Sequence, residues 1–219
     1  MSFTQDLFSS RRNYTDGNTR INETDRIWYD SNTNVFRISN GVTPGGVIIS
    51  SRAEIEYVYL SAYDTSTQTA DANVGVANPI TINSTDFSSN ISNTNGNITL
   101  HYPGTYNLQF SVQLSNSSNS PADVWIWLRQ NGQDIAHSTG IVTVPQFHGG
   151  KPGRTISSWN YLIDTANYDE FVQLYWWSDE AADISLSEIA AQTPTLTNPA
   201  IPESPSIILT VCPVRLKTT

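Results

Sequence analysis

From Tyr106 to Leu114 every second residue is large and apolar, namely Tyr106, Leu108, Phe110, Val112 and Leu114, with Asn107, Gln109, Ser111 and Gln113 between them. A period of two belongs to a β-strand, and it commits one face of this segment to a core and the other to solvent or a partner. The same period returns at 123–130, with Val124, Ile126 and Leu128 on one side and Trp125, Trp127 and Arg129 on the other. Asn131-Gly132 follows directly, and both residues accept the positive φ of a two-residue hairpin turn, so a return strand is predicted over 133–137. Further strands are predicted over 54–63, 80–82, 98–100, 155–163, 171–177, 184–190 and 206–216. The longest helix-like stretch, 179–192, mixes the two periods around Ile184, Leu186 and Ile189, and Ser185 and Ser187 favour a strand. Many strands at short spacing specify an all-β sandwich or jelly roll.

Aromatic residues exceed what one such core can hide. Trp176 and Trp177 are consecutive and must point to opposite faces of a strand. With Trp125, Trp127 and Tyr175 they leave ring surface facing outward, and a contiguous exposed aromatic patch marks either a subunit interface or a groove in which a sugar stacks.

The N-terminal region has its own organisation. Residues 16–46 hold two short alternating strands joined by an Asn/Asp/Ser/Thr turn, with Ile27 and Tyr29 on one side and Trp28 on the other. The second strand sets Val35, Arg37 and Ser39 opposite Phe36 and Ile38. Asn40-Gly41 reverses the chain, and Pro44-Gly45-Gly46 stops it again. We therefore divide the chain into a β module at 1–52 and a head at 53–219. The module holds six Arg against five acids, whereas the head holds five basic against fifteen acidic residues. An acidic head argues against nucleic acid, which demands clustered Lys and Arg, and Arg11-Arg12 reads as a surface pair.

Charged residues make up only 14% of the chain and hydrophobic ones 38%, with Asn, Ser and Thr filling much of the rest, as suits an exposed uncharged-polar β protein. The N-terminus has neither a basic nor an apolar leader region, and no apolar stretch is long enough to span a bilayer, so no membrane insertion is expected and synthesis in a cytoplasm is. Cys212 stands alone, which excludes an intrachain disulfide, and its apolar neighbours suggest a small buried residue. Sequons such as those at Asn83, Asn97 and Asn116 follow from composition. His101, His137 and His148 are scattered, and no nucleophile elbow or metal-ligating His pair occurs. Asp169-Glu170, Asp179-Glu180, Asp183 and Glu188 are the carboxylates available to a glycan hydrolase, yet as loop neighbours they read as solvated charges. Neither an enzyme nor a cofactor or metal is expected. Two Gly/Pro-rich loops, at 142–155 and 193–204, lie where a β-sandwich exposes its ends. In the first, Phe147, His148, Lys151 and Arg154 are the candidate receptor-facing residues.

Two resemblances add to this. Trp28, Tyr29, Asp30, Thr33, Asn34, Arg37, Ile38, Gly41, Val42 and Thr43 resemble the strand pair and Gly-Val-Thr turn of the N-terminal domain of bacteriophage major tropism determinants and tail-fibre proteins, with Asn40 where the family often has an acid. That resemblance implies a virion location and an attachment module, β-prism-like, centred on Trp28, Tyr29, Arg37 and Gly41. The runs PGTYNLQFSVQL, VWIWLRQNGQDIAHS, SWNYLIDTANYDEFVQLYWW and PSIILTVCPVRL look like the jelly roll of tumour necrosis factors and complement globular heads. Gly104, Tyr106, Leu108 and Phe110 match one family strand, and Leu128, Asn131 and Gly132 match its hairpin. Tyr168-Asp169-Glu170 replaces the family's Gly-Asp turn, and Ile207, Ile208 and Leu209 replace its final Phe-x-Gly. What it implies is a homotrimer packed about a three-fold axis, for which Tyr106, Phe110, Trp125, Trp127, Tyr175 and Trp177 are the candidate interface residues. The function expected is a trimeric phage fibre or adhesin that docks to another virion protein through residues 1–52 and presents its head to a host-surface glycan or protein. A capsid decoration or head-fibre protein without a receptor, and a glycan-degrading spike, are the alternatives.

Overall fold

The computed structural model describes residues 24, 27–30, 35–50, 57–71, 73 and 75–217. The chain forms two compact units, Met1–Glu56 and Tyr57–Thr219. The boundary expected at 52/53, the turn at Thr33 and Asn34, Arg11-Arg12 and residues 54–56 of the first predicted head strand lie outside the described residues.

The first unit contains a three-stranded antiparallel sheet of β1 (Ile27–Asp30), β2 (Val35–Ile38) and β3 (Val47–Ser50), in that order. Alternation works as expected: Trp28 and Asp30 are buried, while Tyr29 is exposed and meets Phe36 across the pair at a centroid distance of 5.2 Å. On the buried face Arg37 Nε donates to Asp30 Oδ2 at 3.1 Å, and Arg37 Nη1 to the Gly45 carbonyl at 3.3 Å. The β2–β3 turn is organised by Asn40, whose Oδ1 accepts from the amides of Val42 at 3.1 Å and Thr43 at 2.8 Å. Gly41 sits at φ 75°, and a Cβ there would lie 2.7 Å from Thr24 Oγ1.

The second unit is a sandwich of two sheets. Sheet one contains β4 (Tyr59–Asp64), β5 (Gln68–Thr69), β7 (Ser84–Ser89), β10 (Gly104–Asn116), β14 (Gly153–Thr165), β16 (Ile184–Leu186) and β17 (Ile207–Leu216). Sheet two contains β6 (Asn78–Pro79), β8 (Ile91–Thr94), β9 (Asn97–Leu100), β11 (Ala122–Gln130), β12 (Gln133–Asp134), β13 (Gly140–Val144) and β15 (Glu170–Ser178). The order β7-β4-β17-β10-β14 faces β13-β11-β15-β9-β8, with every pairing antiparallel. Strands distant in sequence are neighbours within each sheet, which is the expected jelly roll. Tyr106, Leu108, Val112 and Leu114 from β10 meet Val124, Ile126 and Leu128 from β11 and Leu174 and Trp176 from β15 in one core.

Register fixes the two ends of the sandwich. Leu60, Val211, Leu108 and Tyr161 lie at one level, and Asp64, Ile207, Val112 and Ser157 at another. The chain therefore enters at the end carrying Gly104 and Thr165, and the loops at 116–122, 145–152 and 178–184 lie at the opposite end.

Several expectations change. Tyr106 and Phe110 are 0% and 4% exposed, so neither lines an intermolecular surface; the period that makes them a core face excludes it. Cys212 is exposed, because it is out of phase with buried Ile207, Leu209 and Val211. The predicted strand at 80–82 is instead an extended segment bracketed by a side chain: Gln68 Oε1 accepts from Thr81 N at 2.8 Å and Gln68 Nε2 donates to Thr81 O at 2.9 Å. Of 179–192 only β16 pairs as a regular strand, after a 3-10 turn at Ala181–Asp183, and beyond it isolated bridges join Ile189 to Ser204 and Gln192 to Ile201. The return from Asn131-Gly132, at φ 50° and 79°, is only β12: Ile135 N still donates to Leu128 O, but Leu128 N donates to Ser138 Oγ, and His137 turns the chain at φ 65°.

Candidate functional site

Sheet two presents the aromatic residues outward as a ladder. Trp125 stands opposite Trp177 and Trp127 opposite Tyr175 across the β11–β15 pair. The inward partners of the same strands, Ile126 and Trp176, are 0% and 1% exposed, so the four outer rings lie on the far side of a closed core. Trp125 and Trp177 stack at 4.6 Å with their planes 45° apart, and Trp127 and Tyr175 at 6.1 Å and 33°. Such pairs contribute about 0.5–1.5 kcal/mol beyond area burial. All four rings remain partly exposed.

Two residues that sequence reasoning left unassigned complete the ladder. Arg129 places its guanidinium carbon 3.9 Å from the Tyr175 ring centroid, a cation–π arrangement. Asp134, opposite Arg129 across the Asn131-Gly132 hairpin, accepts at Oδ1 from Trp127 Nε1 at 2.7 Å and from Arg129 Nε at 2.5 Å. The Arg129 hydrogen bond, and then that of Trp127, hold the Asp134 carboxyl below the usual carboxylate range, and Asp134 in turn raises Arg129. Hairpin register was the signal for this pair, since Arg129 lies two before the turn and Asp134 two after it.

Trp125, Trp127 and Trp177 line an open hollow of about 320 Å³ together with Gly75, Ala77 and Thr139. The small residues at 75 and 77 come from the β5–β6 connection, and nothing in the sequence pattern places them there. Trp177 Nε1 is enclosed without an acceptor among the described residues.

The remaining candidates fall elsewhere. Of the loop predicted at 142–155 the two ends are strand, and 145–152 is a short excursion with a tight tip: His148 bridges Lys151 across Gly149-Gly150. Phe147 is half-buried, its amide donating to Ser118 O at 2.8 Å, while His148 and Lys151 are exposed. Arg154 lies on β14, in a second hollow of about 280 Å³ shared with Gln113, Ile156, Ser187 and Ile189. The tip thus brings Phe147, His148 and Lys151 together and leaves Arg154 apart.

The carboxylates set aside as hydrolase candidates divide between opposite ends of the sandwich. Asp169 pairs with His101 at 2.6 Å. Asp179 accepts from the Asp123 amide at 2.8 Å and Asp183 from the Ser117 hydroxyl at 2.9 Å. Glu170, 9% exposed, takes the amides of Ala166 and Asn167 on Oε1 and the side-chain amides of Gln130 and Asn131 on Oε2, each at 2.8–2.9 Å. Burial pushes its pKa up, but these donors outweigh burial and bring it down to about 2, so it is ionised and fully occupied at neutral pH.

No protein-family model matches the chain, and no curated protein does. Among solved structures it is similar to the globular domain of zebrafish complement 1qA protein, at 13% identity and a TM-score of 0.40, over 74% of this chain and 100% of that one.

Proposed function

We propose that the chain is a bacteriophage virion protein that acts by binding and not by catalysis: a homotrimeric jelly-roll head whose N-terminal module attaches it to another component of the particle and whose exposed surfaces meet the host. The outer face of sheet one carries the self-association. Rows Tyr63–Ile208–Ser111–Ser158, Ser61–Thr210–Gln109–Asn160 and Cys212–Asn107–Leu162 cross that face, and none of these residues is charged in a chain of formal net charge −9. Copies of an acidic protein repel one another, so they approach where charge is sparse: these rows carry none, and charges such as Asp86 beside Ser61 and the Asp164–Lys217 pair lie at their margin. Exposed Ile208 and Leu162 among neutral polar groups match the charge-depleted composition of an interface core. Three is the copy number that the likeness to tumour necrosis factors and complement heads implies. Self-contact on sheet one leaves the aromatic ladder of sheet two open, and trimerisation multiplies weak contacts into avidity. The virion location rests on the sequence resemblance of Trp28, Tyr29, Arg37 and Gly41 to the N-terminal module of phage tail-fibre proteins.

Light scattering on the full chain is expected to give three times the 24.2 kDa chain mass. Thr210→Glu, which sets a carboxylate in the middle row of every copy, is expected to give a single-chain mass with an unchanged far-UV spectrum. A wild-type protein at the single-chain mass overturns the trimer. Immunogold labelling of particles against this chain tests the virion assignment, which fails if purified particles carry no label.

A further inference from the structure

We propose that the hollow bordered by Trp125, Trp127 and Trp177 is a binding site for a neutral pyranose sugar at the end or within a branch of a surface glycan, a reading that deepens the attachment role and rests on it. Three of its lining side chains are indoles, Trp125, Trp127 and Trp177, and the others are the small Gly75, Ala77 and Thr139. The C–H face of a pyranose carries slight positive charge and lies flat on the negative face of such a ring, which is how an aromatic wall selects a sugar over a hydrocarbon knob. At about 320 Å³ the hollow falls at the lower end of the range that ligand pockets occupy, about 300–1,000 Å³. Gly75 and Ala77 leave it open, and a Cβ added at Gly75 meets nothing within 4 Å.

A polar group bonded to one lining residue is fixed before any ligand arrives: Asp134 stands outside the lining but holds Trp127 Nε1. Asp134 Oδ1 is held by both Trp127 and Arg129, whereas its Oδ2 makes no hydrogen bond among the described residues and is free to accept from a sugar hydroxyl. Thr139, in the lining itself, carries a hydroxyl. Oriented acceptors beside a stacking face give specificity for a polyhydroxylated ring.

Charge selects the neutral class. Arg129, the cation stacked on Tyr175, is already matched by Asp134, and the chain as a whole stands at −9. None of the described lining residues is charged, so sialylated and phosphorylated glycans are disfavoured. The alternative occupant is a second copy inserting an apolar knob, of which fully exposed Leu196 is the most prominent.

The full-length protein is tested on an array of neutral hexose and N-acetylhexosamine oligosaccharides printed beside sialylated and phosphorylated counterparts. Binding confined to neutral glycans is expected. It should fall at least tenfold in Trp177→Ala and also in Ala77→Phe, which fills the hollow while keeping every tryptophan, with the mass from light scattering unchanged in both. The proposal is overturned by no binding, by binding confined to the anionic glycans, by binding that survives both variants, or by a drop in mass in either variant, which assigns the hollow to a second copy. A protein of single-chain mass that still binds neutral glycans through the hollow removes the trimer and leaves this site standing. A trimer without such binding does the reverse.

Discussion

Glu170→Gln is expected to destabilise the head by about 2–3 kcal/mol at pH 7. The wild-type carboxylate accepts two backbone amides on one oxygen and the Gln130 and Asn131 side-chain amides on the other. A glutamine must turn its NH₂ toward one of these donor pairs, so at least one donor loses its acceptor and faces another donor. The acid–base linkage gives the scale. Lowering the carboxyl from 4.5 to about 2 favours the charged form by roughly 3 kcal/mol, at about 1.4 kcal/mol per pKa unit. Solvent at the rim of the site trims that figure. Because the folded-state pKa lies below the unfolded one, the contribution is complete above about pH 5 and is lost as pH falls through 4.5 toward 2. Urea unfolding followed by tryptophan emission, at one protein concentration and at several pH values between 7 and 3, measures both effects. The wild type should lose stability across that acid range, and Glu170→Gln should start lower and lose less. A variant within about 0.5 kcal/mol of wild type at pH 7, or with the same acid slope, refutes the assignment of Glu170 as the clasp joining the Asn131 turn to the 165–170 turn.

Phe110→Ala removes a buried ring packed edge-on against Trp159 at 4.5 Å and should cost about 3–5 kcal/mol in the same unfolding assay; a cost well under 1 kcal/mol means the faces of β10 are reversed. Gly46→Ala places a Cβ 2.5 Å from both the Trp28 indole and the Ile38 carbonyl, at φ 64°, and should abolish amide protection over 27–50 by hydrogen exchange while leaving 57–217 protected. Gly153→Ala puts a methyl 1.7 Å from the Pro145 carbonyl; proteolysis within 145–152 should accelerate markedly, and an unchanged cleavage rate contradicts the close approach at the base of that tip.

Period-two patterning made the core strands legible. β10, β11, β15 and β17 bury the residues their alternation nominates, and the consecutive Trp176 and Trp177 divide between core and surface. Asn131-Gly132 marked its turn because positive φ at two successive residues is a local demand that few residue pairs meet. Illegible were the elements held by non-local partners. β7 is polar and largely exposed along its length and exists because β4 offers it an edge. The segment at 80–82 carries strand-like residues, yet its partners are mixed: Ile80 N bonds the Leu174 carbonyl, Thr81 the Gln68 side chain and Ile82 O the Asn93 side chain. The site was half legible. Ring positions follow from strand phase, and Asp134 follows from hairpin register, but Gly75 and Ala77 reach the hollow through a loop whose path no periodicity encodes. Tyr106 and Phe110 lie in the core because their phase in β10 outranks their aromatic character. Cys212 is exposed because its parity, opposite to that of Leu209 and Val211, outranks the apolar run around it.

Which face of the head is covered in solution decides the account most directly, and the single thiol reports it. Cys212 lies on the charge-poor outer face of sheet one, in a row with Asn107 and Leu162. Its rate of labelling by a thiol reagent, in the native full chain and in Thr210→Glu, can be set beside acrylamide quenching of the tryptophans. The account predicts slow labelling in the wild type, at least tenfold faster labelling in Thr210→Glu, and quenching that is the same in both. Fast labelling of the wild type, together with quenching that rises only when the subunits separate, puts the aromatic ladder in the interface and contradicts it.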